Sequence, residues 1–272
     1  MQTDDAADAA PAWRTVAVKR RRPDGAHSDE QATMADEVAI EIHLNQTTVV
    51  VTMASPLDLP DLAVGFLVSE RFLEPDAAIL DVACFRKPLG VVVNVRAEIV
   101  QPLTSRSRTV VARASCGLCG VTTLDDAIAD LPPVTRRSTP SAQAIHRAVA
   151  QLRPQQPLHR QTHAVHAAAW CTPEGNLDLV REDIGRHNAL DKLLGARMRR
   201  GEPTPGFVLM SSRLSYELVQ KAAAHDVATL VAVSAPSTLA VEIGRALGMN
   251  LIAIARDDSH TIFVDSSEAG DV

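Results

Sequence analysis

Apolar and polar positions divide this chain into two regions of different rhythm. Val38-Ala39-Ile40-Glu41-Ile42-His43-Leu44 and Thr47-Thr48-Val49-Val50-Val51-Thr52-Met53 flank Asn45-Gln46, which predicts a β-hairpin. Pro56 and Pro60 break it, and Asp61 is the expected cap of a helix over 62–72 whose apolar positions include Leu62 and Phe66. Strands are expected at 79–85 and 91–95, with a third at 109–113. Helices follow at 123–131 and 142–152, separated by Pro132-Pro133 and a polar linker to about residue 140.

From residue 162 the alternation becomes regular. A hairpin of 163–170 and 177–180 turns across Pro173-Glu174-Gly175-Asn176, followed by helix 183–195 and strand 207–210. Helix 216–225, strand 229–233, helix 239–247 and strand 251–255 complete the series. Apolar strands alternating with helices across short connections predict an α/β layer with a largely parallel sheet. The expected organisation is a disordered arm over 1–35, containing one edge strand at 15–19, and a β-rich part over 36–134. An α/β part over 135–265 and a frayed acidic tail over 266–272 complete it.

Composition narrows the function. With 27 basic and 33 acidic residues the net charge is −6, which disfavours a general nucleic-acid binder. Two Trp, one Tyr and five Phe are too few for a base-stacking platform. No stretch of about eighteen residues escapes charge, so no transmembrane helix is expected. The acidic start Met1-Gln2-Thr3-Asp4-Asp5 is unlike a secretory signal, and the cytoplasm is the expected location.

Four cysteines in a chain this long do not make a disulfide framework. Cys84 and Cys171 each end an apolar run and are expected as small buried hydrophobes. Cys116 and Cys119 differ, because they lie in the glycine-flanked turn Ser115-Cys116-Gly117-Leu118-Cys119-Gly120, between an expected strand and an expected helix start. Two thiols at this spacing can share a metal, a disulfide or a mobile sulfur atom. A helix N-terminus, with Arg106, Arg108 and Arg113 just upstream, favours the thiolate.

A closed zinc site needs four ligands, and one Cys-x-x-Cys supplies two. No second such pair occurs, while His163 and His166 would point to opposite faces of a strand. A zinc deaminase requires His-x-Glu, or a Cys in place of that His, and no histidine or remaining cysteine has Glu two residues later. A thioredoxin-like role would place the pair near the start of a βαβ unit, whereas several strands precede it here.

Three further stretches suit a ligand. Arg181-Glu182-Asp183-Ile184-Gly185-Arg186-His187-Asn188-Ala189-Leu190-Asp191-Lys192 gathers polar groups at a helix start, with Asp183 the expected cap; a well-capped surface helix is the plainer alternative. Ser211-Ser212-Arg213 and Ser234-Ala235-Pro236-Ser237 follow adjacent strands, where small hydroxyl residues suit an anion or simply cap helices. Arg256-Asp257-Asp258 follows the last strand, and together these suggest a cleft for a phosphorylated ligand. A Gly-x-Gly-x-x-Gly fingerprint is missing.

Asp61-Leu62-Ala63-Val64-Gly65-Phe66-Leu67-Val68-Ser69-Glu70, the Cys116–Gly120 turn and the Arg181–Gly195 stretch, extended by Ser211-Ser212-Arg213 and Ser234–Asp257, together resemble the FdhD family of formate dehydrogenase accessory sulfurtransferases. The resemblance runs over about 38–263; Arg71 stands where the family pattern has glycine. It implies a cytidine-deaminase-like three-layer domain with a mixed sheet, plus a smaller N-terminal β-rich lobe and no deaminase zinc. It also implies a persulfide at Cys116 with Cys119 as its partner, sulfur supplied by a cysteine desulfurase, and a molybdenum (or tungsten) bis-guanine-dinucleotide cofactor as acceptor. The sulfurated cofactor would enter formate dehydrogenase. The cofactor segment maps onto Ile254, Ala255, Arg256, Asp257, Asp258 and Ser259, with Asp183, His187, Ser212 and Arg213 as further candidates. A homodimer without a permanently bound metal is implied as well. The competing expectation is a molybdenum-cofactor-binding chaperone whose cysteine pair holds a structural metal.

Overall fold

The computed structural model describes residues 12–98, 110–111, 131–135, 139–201 and 204–267. Among them the strands form three sheets, and the architecture is mixed α/β.

The arm expected to be disordered instead contains a hairpin. β1 (Trp13–Arg21) runs antiparallel to β2 (His27–Ala35), in register from Trp13 opposite Ala35 to Arg21 opposite His27. The strands are mostly exposed, so no apolar alternation marks them in the sequence. The ladder is tied down at its open end, where Ala12 is buried with Leu158 and Val165.

The second sheet has the order β5-β6-β3-β4-β7. It comprises β3 (Val38–Leu44), β4 (Thr47–Ala54), β5 (Ile79–Lys87), β6 (Gly90–Ala97) and β7 (Val110–Val111). The Asn45-Gln46 turn has both residues at positive φ, as a two-residue hairpin loop requires. Ile40, Ile42, Leu44, Val93 and Val95 point to one face and pack against helix α1 (Leu59–Ser69). This helix begins three residues earlier than expected: Asp58 is its N-cap, and Pro60 sits in the first turn, where its missing N–H costs nothing. Asp61 is therefore not the cap but a buried first-turn residue. Arg71, just beyond the helix, takes the left-handed conformation with φ 61°, a position that suits glycine, the residue expected there from the resemblance. Cys84 on edge strand β5 is exposed, against the expectation that it is buried.

The third sheet has the order β13-β12-β11-β10-β8-β9. Its strands are β8 (His166–Cys171), β9 (Leu177–Asp183), β10 (Phe207–Met210), β11 (Thr229–Ala232), β12 (Asn250–Ala253) and β13 (Thr261–Val264). β10, β11 and β12 are parallel and the other pairs antiparallel. Its helices are α2 (Ala142–Leu152), α3 (Pro157–Thr162), α4 (Arg186–Arg200), α5 (Tyr216–Ala224) and α6 (Thr238–Ala246). The period-two alternation along buried strands sorts the core into two layers. Val208, Met210, Leu230, Ala232 and Leu251 face α4, α5 and α6. Phe207, Leu209, Val231 and Ile252 face Ile145, Ala148 and Leu152 of α2.

Helix α4 starts at Arg186 rather than 183, with Gly185 as its N-cap, and Asp183 ends β9 instead. The helix is buried over most of its length because α1 crosses it at Gly65 and Gly195. No helix among the described residues is long and apolar enough to cross a membrane.

Candidate functional site

The polar stretch before α4 joins the two larger sheets. Asp183 is fully buried, and its carboxylate accepts from the backbone amides of Ser55 (2.9 Å) and Gly185 (2.8 Å) and from Asn188 Nδ2 (3.1 Å). Lys192 Nζ, equally buried, stands 2.7 Å from the same carboxylate and donates to the carbonyls of Ser55 and Glu182. A buried charge pair repays its desolvation only when further hydrogen bonds satisfy both ions, and here they do. The plainer alternative of a surface helix therefore fails, and the oxygens of Asp183 are occupied by the protein's own donors.

Two more ion clusters seat α4 on α1. Asp61 pairs with Arg181 at 2.8 Å and also with Arg199. Asp191 accepts from Ser69 Oγ at 2.6 Å and pairs with Lys221 Nζ at 2.9 Å, which also reaches Glu70 at 2.8 Å. Burial alone would lower the Lys221 ammonium, but the Asp191 and Glu70 carboxylates outweigh it and hold it above its ordinary value.

Most of the candidate residues among those described lie at the carboxyl end of the parallel strands. Because β8 runs opposite to β10 and β9 opposite to β8, His166 and Asp183 lie at the end where β10, β11 and β12 finish. Ser211-Ser212-Arg213, the 233–237 loop and the 254–259 loop all emerge there. The first two loops are pinned together: Leu214 N donates to the carbonyl of Ala235 and Ser237 N to that of Leu214. At about 4.8 Å per strand, β9 and β12 are separated by about 19 Å, the reach of an extended ligand rather than a small one.

At one end of this edge, four side chains carry buried polar atoms with no partner: Arg186 Nε, both ring nitrogens of His187, Ser215 Oγ and Glu217 Oε2. His187 is only 4% exposed. Each such atom costs about 1–3 kcal/mol, so a protein keeps five of them in one region only for a reason. Ser215 is the N-cap of α5 yet makes no side-chain cap bond, whereas Ser237 caps α6 and Ser141 caps α2 through their hydroxyls. His187 Nε2 lies 3.9 Å from Glu217 Oε2, beyond hydrogen-bond reach. Burial would raise the Glu217 carboxyl, but His187, Ser215 and its own backbone amide bring it down to about 2, so it is ionised. Burial lowers the His166 imidazole, reinforced by the positive field of Arg186, His159, His187 and Arg213.

The 254–259 loop lies at the other end. Ile254 is exposed at φ 53°, while Ala255 is buried against the α2 layer. The Arg256 guanidinium is tied to the carbonyls of Val233 and Ala255, and Arg256 N donates to the Ser259 carbonyl at 2.7 Å. This closes a turn that leaves Asp257 and Asp258 exposed. Ser212 is buried and donates to the Arg213 carbonyl, and Arg213 is exposed. His187, Ser212, Arg213 and the 254–259 segment thus lie along one edge, His187 and the 254–259 segment at its opposite ends, with Asp183 beneath it as a structural anchor. Ser215 and Glu217 escape sequence reading because Ser-x-Glu before an apolar run looks like an ordinary helix start. Cys116, Cys119 and the expected helix 123–131 lie outside the described residues. A separate cavity of about 780 Å³ lies at the far end of α4, between residues 131–135 and the last turns of α1 and α5.

Residues 35–269 match the FdhD/NarQ family. The chain belongs to that family. It is 38% identical over 254 residues to the sulfur carrier protein FdhD of Xanthomonas euvesicatoria, covering 92% of this chain and 89% of that protein. Identity to the FdhD proteins named as sulfur carriers from Variovorax paradoxus and Bordetella petrii is 39% and 38%, over 86% and 85% of this chain and 86% and 84% of theirs. A crystal structure described as that of a formate dehydrogenase accessory protein from Desulfotalea psychrophila superposes with a TM-score of 0.75 at 22% identity. It covers 94% of this chain and 98% of that one, which establishes the shared fold.

Proposed function

We propose that this FdhD/NarQ family member is a cytoplasmic sulfur carrier that serves formate dehydrogenase. It takes sulfane sulfur from a cysteine desulfurase and passes it to a molybdenum (or tungsten) bis-guanine-dinucleotide cofactor, which is its substrate. Cys116 receives the sulfur: its thiolate attacks the outer sulfur of the desulfurase persulfide, a new S–S bond forms, and the desulfurase cysteine leaves as thiolate. No net oxidation occurs in that exchange. Cys119 then attacks the inner sulfur of the Cys116 persulfide. The outer sulfur leaves as hydrosulfide, the two cysteines are joined as a disulfide, and a cellular thiol reductant resets them.

The acceptor sits along the carboxyl edge in this reading, held by the 254–259 segment at one end and by His187 and Arg213 at the other. A cytidine-deaminase-like use of the six-stranded sheet, and a homodimer, belong to the same proposal. The observation that carries it is the group of buried, unpartnered donors and acceptors at Arg186, His187, Ser215 and Glu217, in a chain whose curated relatives are named sulfur carriers. Such atoms fit a polar organic ligand that brings both donors and acceptors.

Mass spectrometry of the full chain after incubation with a cysteine desulfurase and cysteine tests the sulfur step. Wild type and Cys119→Ser gain one sulfur atom, about 32 Da, removable by reductant, whereas Cys116→Ser gains none. Sulfur retained by Cys116→Ser and lost in Cys119→Ser reverses the two roles. No sulfur on any variant overturns the reading.

A further inference from the structure

The loop between β12 and β13 carries strain that its surroundings must hold. Ile254 takes φ 53°, the left-handed region that a β-branched side chain tolerates worst. Such a conformation persists only where neighbouring groups fix it. At the start of the loop Ile254 N donates to the Ser234 carbonyl at 3.2 Å and Ala255 N to that of Ala232 at 3.0 Å, beside the Arg256 bonds to the Val233 and Ala255 carbonyls. At its end the partner comes from another layer. His260 Nδ1 lies 3.0 Å from Nε2 of His146 on α2, with the two rings edge to face, 5.1 Å between centroids and 61° between planes.

We infer that His146 is a positioning residue for the 254–260 loop, and that its imidazole pair with His260 is a clasp whose hold is set by the number of protons it carries. Between neutral rings, one N–H donates to the facing nitrogen. Both rings keep some contact with solvent, so a first added proton goes to an outward nitrogen and makes the bond charge-assisted, about twice as strong. A second proton leaves a hydrogen on both facing nitrogens, and no acceptor remains. The hold therefore peaks with one proton and fails with two. Burial first, and the charge of His146 second, lower the His260 imidazole from its ordinary 6.5, so the releasing step lies in acid. The other charges nearby are engaged elsewhere or face solvent. Arg147 of α2 donates to the Glu174 carbonyl, Arg256 to the carbonyls of Val233 and Ala255, and Asp258 accepts from Ser259, while Asp257 is exposed. The clasp belongs to the loop's own geometry and stands apart from what the loop binds.

Histidine NMR and hydrogen exchange of the full chain test it together. The ring Cε1–H resonances are assigned by their loss in His146→Ala and His260→Ala. In the wild type these two rings are expected to titrate in two linked steps. In each variant the remaining ring titrates in a single step, with His260 closer to 6.5 once His146 is gone. Exchange of the peptide spanning 254–260, corrected for its intrinsic rate, is slowest between the two steps. At neutral pH His146→Ala raises that exchange about three- to tenfold, the loss of one hydrogen bond, and leaves other peptides unchanged. His146→Gln keeps an uncharged donor where Nε2 stood, so it restores protection at neutral pH and flattens the pH profile, which packing alone would not do. Independent single-step titration of both rings in the wild type overturns the inference, as does unchanged exchange in His146→Ala or a wild-type profile without a maximum. The wild-type titration and profile decide the matter even where a variant does not fold. Persulfide formation at Cys116 enters none of these readouts, so failure here leaves the sulfur-carrier reading standing, and failure of sulfur loading leaves the clasp.

Discussion

Gly65 of α1 and Gly195 of α4 meet across the helix crossing, each backbone lying against the other helix. A Cβ on Gly65 would overlap the Asp191 carbonyl oxygen, and one on Gly195 would overlap that of Asp61. This contact lets the polar pairs Asp61–Arg181 and Asp191–Lys221 close on either side of the crossing. Gly195→Ala is therefore expected to destabilise the fold by about 1–3 kcal/mol, because two rigid backbones must separate. Urea unfolding checks it, and an unchanged midpoint would mean that the helices separate at no cost.

Lys192→Met leaves the Asp183 carboxylate buried beside two amides and a side-chain amide without its cation. The expected loss is about 3–5 kcal/mol. Combining it with Asp183→Leu costs less than the sum of the two single changes, since the double variant buries no lone charge. Denaturation midpoints of the four proteins give the coupling.

Acid should weaken the protein through His225. Burial, with Lys221 and Arg197 nearby, lowers this imidazole from 6.5 to about 3 despite its hydrogen bond to the Gly65 carbonyl. Between those values the unfolded chain binds a proton that the folded chain does not, so stability is full above 6.5 and falls as pH drops, by up to about 1.4 kcal/mol per unit. His166, lowered in the same way, adds to the slope. Melting His225→Gln beside wild type from pH 7 to pH 5 should show a shallower decline in the variant; parallel curves would assign the acid sensitivity elsewhere.

Arg71 occupies a left-handed position with φ 61° directly after α1. Arg71→Gly is expected to hold stability within about 1 kcal/mol of wild type, and Arg71→Val to lower it by about 1–2 kcal/mol, because a β-branched residue tolerates that conformation worst. Thermal melts that rank valine above glycine would contradict the backbone argument.

Metal analysis of the purified chain separates the sulfur carrier from the chaperone with a metal-bound cysteine pair. The expected result is substoichiometric zinc and thiols at Cys116 and Cys119 that react with an alkylating probe before and after chelation. One zinc per chain with unreactive thiols would favour the chaperone.

Much of the α/β part is legible in the sequence, because apolar strands buried on both faces and helices with short connections leave a strong period. Strand Phe207–Met210 and helix Ala142–Leu152 have the expected bounds. The hairpin of β1 and β2 is not legible, since its ladder is held by main-chain bonds between exposed side chains. Asp61 and Asp183 look like helix caps in one dimension, yet both are ion-pair partners, because the cations that claim them come from Arg181, Arg199 and Lys192, far along the chain or nearly two helical turns inside.

By itself the sequence determined the family, the cysteine pair and the polar segments that follow the parallel strands, because local spacing and residue type carry those. Tertiary structure alone decided which of those residues hold the fold and which have unused hydrogen-bonding atoms. Whether Asp183 or Glu217 is satisfied depends on donors that other segments bring within about 3 Å, and that distance is set by packing.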